Sequence, residues 1–137
     1  MSNMLWNPSE ERKNSSLIQK FIEHINLGFD NYFDLHNWSI NEMEVFWEEF
    51  WKFSGIIYSK NYESVLTNPV MPGAKWFEGS RLNYAENLLS GNPEQIAIIS
   101  TGEGRKDKSF TFKELNEAVA SAQEGLRSLG VKEGTRV

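Results

Sequence analysis

The sequence predicts a mixed α/β fold, mainly α in its first part, and three patterns carry that prediction. Two stretches in the first half repeat apolar residues at intervals of three and four, the spacing that aligns side chains on one face of a helix. A short unbroken apolar run, Ile96-Ala97-Ile98-Ile99, then a polar Gly-containing turn and Ser109-Phe110-Thr111-Phe112, reads as a β-hairpin. A further amphipathic stretch after the hairpin adds a helix to that pair of strands.

The first helix is expected from Ser9 onward. Glu10 and Glu11 stand in its first turn, where carboxylates meet the positive end of the helix, and Leu17, Ile18, Phe21, Ile22 and Ile25 form an apolar face up to a stop at Gly28. A second helix is expected after Ser39, which with Glu42 matches the capping-box spacing. Met43, Phe46, Trp47, Phe50 and Trp51 follow at helical intervals until Gly55. Each large ring buries about 150–250 Å² when it packs, so this helix should anchor the local core. From residue 56 to residue 79 no period is sustained, and Pro69, Pro72, Gly73 and Gly79 interrupt the chain. A long irregular connection is expected, with Trp76 and Phe77 pinned against a neighbouring surface.

Asn83 is placed to cap a short helix through Leu89, and Ser90-Gly91-Asn92-Pro93 ends it. That punctuation suggests a domain boundary between residues 1–92 and 93–137. The run at Ile96 is of the kind covered on both faces of a sheet. Thr111 and Glu114 form a second capping box, after which Leu115, Val119, Ala122, Leu126 and Leu129 line a stripe expected to be buried, ending at Gly130. Residues 131–137 resemble a turn into another strand that the chain ends before completing, so the α/β layer is expected to be truncated.

Composition narrows the function. With 137 residues, 39% apolar and 24% charged, the chain can bury a core and has no signature of wholesale disorder. A formal charge of −5 argues against nucleic acid or an anionic membrane surface as partner, since both attract clustered Lys and Arg. Cysteine is absent, which removes disulfides, thiolate nucleophiles and Cys-based zinc sites. No stretch approaches a membrane span and the start lacks a basic region followed by an apolar run, so the expected address is cytoplasmic. Two glycosylation triplets, Asn14-Ser15-Ser16 and Asn37-Trp38-Ser39, are read as chance on that basis.

Each constellation that could carry chemistry has a plainer reading. The loop Ser100-Thr101-Gly102-Glu103-Gly104-Arg105-Lys106 has glycines, hydroxyls and cations, but no Gly-Lys-Ser/Thr falls where a nucleotide loop needs it, and Asp107 stands where a dinucleotide fingerprint needs its third Gly. It is read as a hairpin tip. His24 and His36 have no second histidine or carboxylate at metal-motif spacing; His24 is placed near the end of a helix and His36 in a polar connection. Glu44, Glu48 and Glu49 are read as a solvated face opposite the aromatic stripe, with one weak Glu48–Lys52 pair four residues apart. Trp47, Phe50, Trp51 and Phe53 are interleaved with acids rather than bases, which favours core packing over a base-stacking platform.

One segment is more specific. Met71-Pro72-Gly73-Ala74-Lys75-Trp76-Phe77-Glu78-Gly79-Ser80-Arg81-Leu82-Asn83-Tyr84-Ala85-Glu86-Asn87-Leu88-Leu89 closely resembles the N-terminal segment of the acetoacetyl-CoA synthetases, within the acyl-CoA synthetases and adenylate-forming enzymes. Related short-chain synthetases share a looser form of it. The stretch from Trp38 through Phe46-Trp47-Glu48-Glu49-Phe50-Trp51 to Ile56 resembles the aromatic helix of that family, and Thr111 through Val137 resembles the first helix of the adenylate-forming fold. One departure is Thr135, where the family's turn has Asp, which puts a side-chain hydrogen bond in question.

The resemblance implies a helical N-terminal cap followed by the first hairpin and helix of the large domain. It also implies a parent ligase that uses ATP, with magnesium, to convert acetoacetate to an acyl-adenylate and then passes the acyl group to CoA. The residues that bind ATP and CoA and perform catalysis in that family would lie beyond Val137. No catalytic, cofactor-binding or metal-ligating residue is therefore expected among these 137, no cofactor is expected for the fragment, and the remainder of the same polypeptide is the expected packing partner. A free-standing interaction module and the N-terminal part of another short-chain acyl-CoA synthetase are the competing readings.

Overall fold

The computed structural model describes residues 6–136, and the chain divides into two compact units between Leu82 and Asn83. The fold is mixed α/β: helices come first, and two small antiparallel sheets follow, each with a helix after it.

In the first unit, the helix expected from Ser9 is two helices. Helix α1 (Glu10–Asn14) ends at Ser15, and α2 (Leu17–Ile25) restarts at Ser16, whose extended backbone and side-chain oxygen cap Gln19 N. A serine that can accept from the backbone two or three residues on offers an alternative to continuing the helix. The stop comes at Asn26, in the left-handed conformation with φ 49°, ahead of Gly28.

Helix α3 (Tyr32–Asn41) is absent from the sequence expectation. Asn31 starts it, accepting from Phe33 N at 2.8 Å and Asp34 N at 3.2 Å while donating to Asp34 Oδ2 at 2.7 Å. Among its residues only Leu35 is buried, so no apolar period announces it. Helix α4 (Met43–Ser54) follows almost without a break, and the capping box expected at Ser39 does not form. Ser39 lies inside α3 with its hydroxyl donated to His36 O at 2.8 Å, and Glu42 occupies the cap position with no side-chain cap bond. Gly55 closes α4 in the left-handed region at φ 63°, as its position suggests.

The connection expected to be irregular contains a hairpin. Strands β1 (Ser64–Thr67) and β2 (Lys75–Glu78) pair antiparallel, with Leu66 opposite Trp76, and a separate bridge joins Lys60 to Arg81. Four-residue strands are too short for alternation to show, and Phe77 adopts φ 49°, which breaks the pleat in a way no residue pattern marks.

In the second unit, Asn83 caps α5 (Tyr84–Leu88), accepting from Ala85 N at 2.9 Å. Strands β3 (Ile96–Ser100) and β4 (Lys108–Thr111) form the expected antiparallel hairpin. Helix α6 (Phe112–Ser128) begins with the full Thr111/Glu114 capping box. Gly91 lies so close under the Phe112 ring that a Cβ there would collide with it unless the ring moved. Asn116 ties α6 to the end of α5 by donating to Leu89 O at 3.2 Å.

The apolar faces of this unit are not covered as the sequence suggests. Ile99 is 69% exposed and Leu129 81%, and no residue of α6 is buried. A stripe at helical spacing records which side can bury, but burial itself needs an opposing surface. Of the turn into a strand expected over residues 131–137, the described part shows the turn, and Val137 lies outside the described residues.

Candidate functional site

The side chains with most structural purpose gather around α4, which packs on two sides at once. Phe46, Phe50 and Phe53 face α2: their rings meet Phe21 at 5.8, 5.8 and 5.1 Å between centroids. Phe21, Ile22 and Leu35 are the buried centre of that cluster, with Ile25, Phe29 and Trp38 around it. Trp47 and Trp51, four residues apart, face the other way. Trp47 meets Trp76 edge-on at 5.7 Å. Trp51 is held among Tyr58, Tyr62 and Phe77, the last at 4.6 Å. The aromatic stripe is thus two faces of one helix, and such ring pairs add about 0.5–1.5 kcal/mol each beyond the area they bury. Trp76 and Phe77 are pinned as expected, and the surface that pins them is α4.

This packing explains the Phe77 backbone. A bulky residue at positive φ is an outlier and persists only where its surroundings hold it. Phe77 is held by Trp51 on one side and Tyr62 at 5.5 Å on another. Ser80 secures the turn after it, donating its hydroxyl to Phe77 O at 2.7 Å.

A polar face runs along α4 on the side away from the rings, as the spacing suggests. Glu48 accepts from Tyr62 Oη at 2.9 Å, and Glu49 accepts from Lys52 Nζ at 2.8 Å, closer than the 3.7 Å from Lys52 to Glu48 that the four-residue spacing suggests. Its hydrogen bond to Glu49 holds the Lys52 pKa above the usual lysine value, with the nearby carboxylates assisting. Burial pushes the Tyr62 phenol up, and the Glu48 carboxylate adds to that. His24 Nε2 lies 3.6 Å from Glu49 Oε2, and its ring packs on Phe53. His36 is within α3, beside the Tyr32 ring, rather than in a connection. Glu48 and Tyr62 link α4 to the segment before β1, and His24 and Glu49 link α2 to α4.

Elsewhere, the Gly102 to Lys106 loop is the tip of the β3–β4 hairpin. Thr135 Oγ1 accepts from Lys132 N at 3.0 Å, so threonine supplies a side-chain bond in the turn where Asp is usual in the resembled family. Among the described residues no group of three or more His, Asp or Glu could hold a metal ion, and no helix is long and apolar enough to cross a membrane. Sequence reasoning missed Tyr62, the polar link from Glu48 to the strand region, and Asn31. The pair Asn31 and Asp34, three apart, was the available signal for the last.

Comparison with known proteins agrees with this geometry. Residues 32–88, which hold α3, α4, the β1–β2 hairpin and α5, match the family described as the acetyl-coenzyme A synthetase N-terminus. An acetoacetyl-CoA synthetase of Mus musculus is 39% identical over 98% of this chain. The solved acetoacetyl-CoA synthetase of Streptomyces lividans superposes on 97% of it with a TM-score of 0.81 and 34% identity. The chain belongs to the acetoacetyl-CoA synthetase family, as an N-terminal portion. It spans 21% of the mouse protein and 22% of the Streptomyces chain, about a fifth of each. A malonamoyl-CoA synthetase of Penicillium aethiopicum is 35% identical over 98% of this chain, so the segment is shared by family members named for different acyl groups.

Proposed function

We propose that this chain is the structural N-terminal part of an AMP-forming ligase that activates acetoacetate with ATP and transfers the acyl group from acetoacetyl-AMP to CoA. In this reading residues 1–92 form a helical cap and residues 93–137 begin the nucleotide-binding α/β domain. The observation that carries it is the double-sided α4 plate. The segment from Met71 to Leu89, which resembles the acetoacetyl branch, contributes Trp76 and Phe77 to packing on that plate and Asn83 to a helix cap. Its content is scaffold, with no activated nucleophile or paired acid and base. ATP and its magnesium are assigned, in this proposal, to other parts of the ligase.

The packing partner in this proposal is the rest of the same polypeptide. Val119 and Leu126 on α6, Leu129 at its C-cap and Ile96, Ile98 and Ile99 on β3 are exposed in this chain, as are Trp47 and Trp76, whereas Trp51 is buried. Exposed apolar residues in such number mark a contact surface. Because exposed apolar residues are not confined to the Trp47 and Trp51 side, and β3 and α6 expose theirs as well, this reading is favoured over a free-standing module that docks through its aromatic helix. Acetoacetate follows the names of the mouse and Streptomyces relatives, and the Penicillium relative makes malonamate the competitor to test beside it. A cytoplasmic location belongs to the same proposal and is checked by cell fractionation.

The test is ATP–pyrophosphate exchange. The purified 137 residues should give no acetoacetate-dependent exchange, while a longer protein containing them should exchange with acetoacetate in preference to malonamate. Exchange by the 137 residues alone would overturn the scaffold assignment, and a preference for another acid would overturn the substrate.

A further inference from the structure

The β3–β4 hairpin tip carries a feature that the ligase reading leaves unused. A notch of about 490 Å³ opens there, lined by Ser100, Thr101, Arg105, Lys106, Lys108 and Phe110. Three cations gather in it. Arg105, Lys106 and Lys108 form no ion pair among the described residues, as is also true of Lys20, Arg81 and Lys113, whereas Lys13, Lys52, Lys60, Lys75 and Arg127 are each paired with a carboxylate. Glu103 and Asp107 belong to the same turn but do not line the notch. The hydroxyls of Ser100 and Thr101 likewise have no protein partner among the described residues.

Arg105 is placed by the turn. Its N–H donates to Gly102 O at 3.1 Å, and its guanidinium lies so near the Gly102 backbone that a Cβ there would stand 2.5 Å from Nη2 and 2.8 Å from Nε. A side chain at position 102 would therefore displace the guanidinium. Glycine at this position keeps the arginine fork against the turn.

We propose that this notch binds a phosphate-bearing small anion. The lining offers a guanidinium fork, two ammonium groups and two hydroxyls, more donors than the two oxygens of a carboxylate can use. A phosphoryl group has three terminal oxygens and carries close to two negative charges, which suits such a set. The fork accounts for geometry and the lysines for charge. Phe110 provides an apolar wall that an attached base or acyl group could lie against. The recognition differs from a nucleotide loop, whose backbone N–H groups wrap the phosphate, and so it does not require the Gly-Lys-Ser/Thr spacing absent here.

The test is a titration of the ¹⁵N-labelled 137-residue chain with inorganic phosphate, pyrophosphate and AMP at constant ionic strength, with chloride as control. Saturable shifts confined to residues 100–110 are expected. Arg105→Gln should weaken binding about tenfold, the loss of one charge-assisted hydrogen-bonding group. Gly102→Ala, which leaves every cation in place but moves the guanidinium, should weaken it in the same direction. Tighter binding of AMP than of phosphate, with Phe110 shifting, would identify a nucleotide as the ligand; equal affinity would identify the bare phosphoryl group. Non-saturating shifts, shifts matched by chloride, or unchanged affinity in both variants would overturn the proposal. Ligase exchange is not read in this titration, so its outcome is independent of the proposed function.

Discussion

Trp51 shows how much one residue can concentrate. It is 7% exposed and meets Tyr58, Tyr62 and Phe77 at once, so its removal leaves a cavity and also frees the strained Phe77 backbone from the contact that holds it. Trp51→Ala should cost about 3–5 kcal/mol in urea denaturation, as for other large aromatics removed from a core. Trp47→Ala should cost less, because Trp47 is half-exposed and its main ring neighbour across the packing face is Trp76. Tyr62→Phe, which keeps the ring and deletes only the bond to Glu48, should cost about 0.5–1.5 kcal/mol. The sign of its pH dependence follows from the raised phenol. The folded state holds the proton more tightly than the unfolded state, so this stabilisation is complete below the ordinary tyrosine range of about 10 and is lost as pH rises through the higher folded value. Tyr62→Phe should remove that alkaline loss.

At the scale of the element, helix ends were legible wherever a side chain binds the backbone in the expected register. The second capping box is complete in the structure, with Glu114 Oε2 accepting from Thr111 N at 2.8 Å and Thr111 Oγ1 accepting from Glu114 N at 3.2 Å. Asn83 and Gly55 behave as their positions suggest. The same signature misled at Ser39, because α3 already occupies that residue, and a serine inside a helix can give its hydroxyl to a carbonyl three residues back. The α3 helix and the β1–β2 hairpin were missed for a shared reason: each buries too little through its own residues for a period to appear. The α6 box yields a prediction with a defined direction. Hydrogen bonds from Thr111, the backbone one first, lower the Glu114 carboxyl, so the cap is intact above the unfolded carboxylate range, about pH 4.3, and is lost as pH falls through the lower folded value. Thr111→Ala should destabilise the helix by about 1 kcal/mol. Glu114→Gln should flatten the acid dependence of the Thr111 amide shift.

On the scale of the whole chain, the distribution of buried residues sets the order of unfolding. Phe21, Ile22, Leu35, Trp51 and Leu66 are the buried hydrophobics among the described residues, and all belong to the unit before Asn83. The unit from Asn83 onward has well-formed local structure, with a capped helix and a paired hairpin, but local hydrogen bonds contribute little net stability without apolar burial. Amides of β3, β4 and α6 should therefore exchange with solvent at least about tenfold faster than those of α2 and α4, which corresponds to an opening free energy lower by about 1.4 kcal/mol or more. A sharper variant separates exposure from intrinsic weakness. Ile99→Lys and Leu129→Glu replace apolar residues that are mostly exposed in this chain, so each should change its stability by less than about 0.5 kcal/mol, while both should reduce dye binding to exposed apolar surface. In a longer protein where the remaining polypeptide covers β3 and α6, the same substitutions would leave a charge in an interface and should be strongly destabilising. Similar small effects in both settings would mean that this face stays open, and the packing role proposed for it would fail.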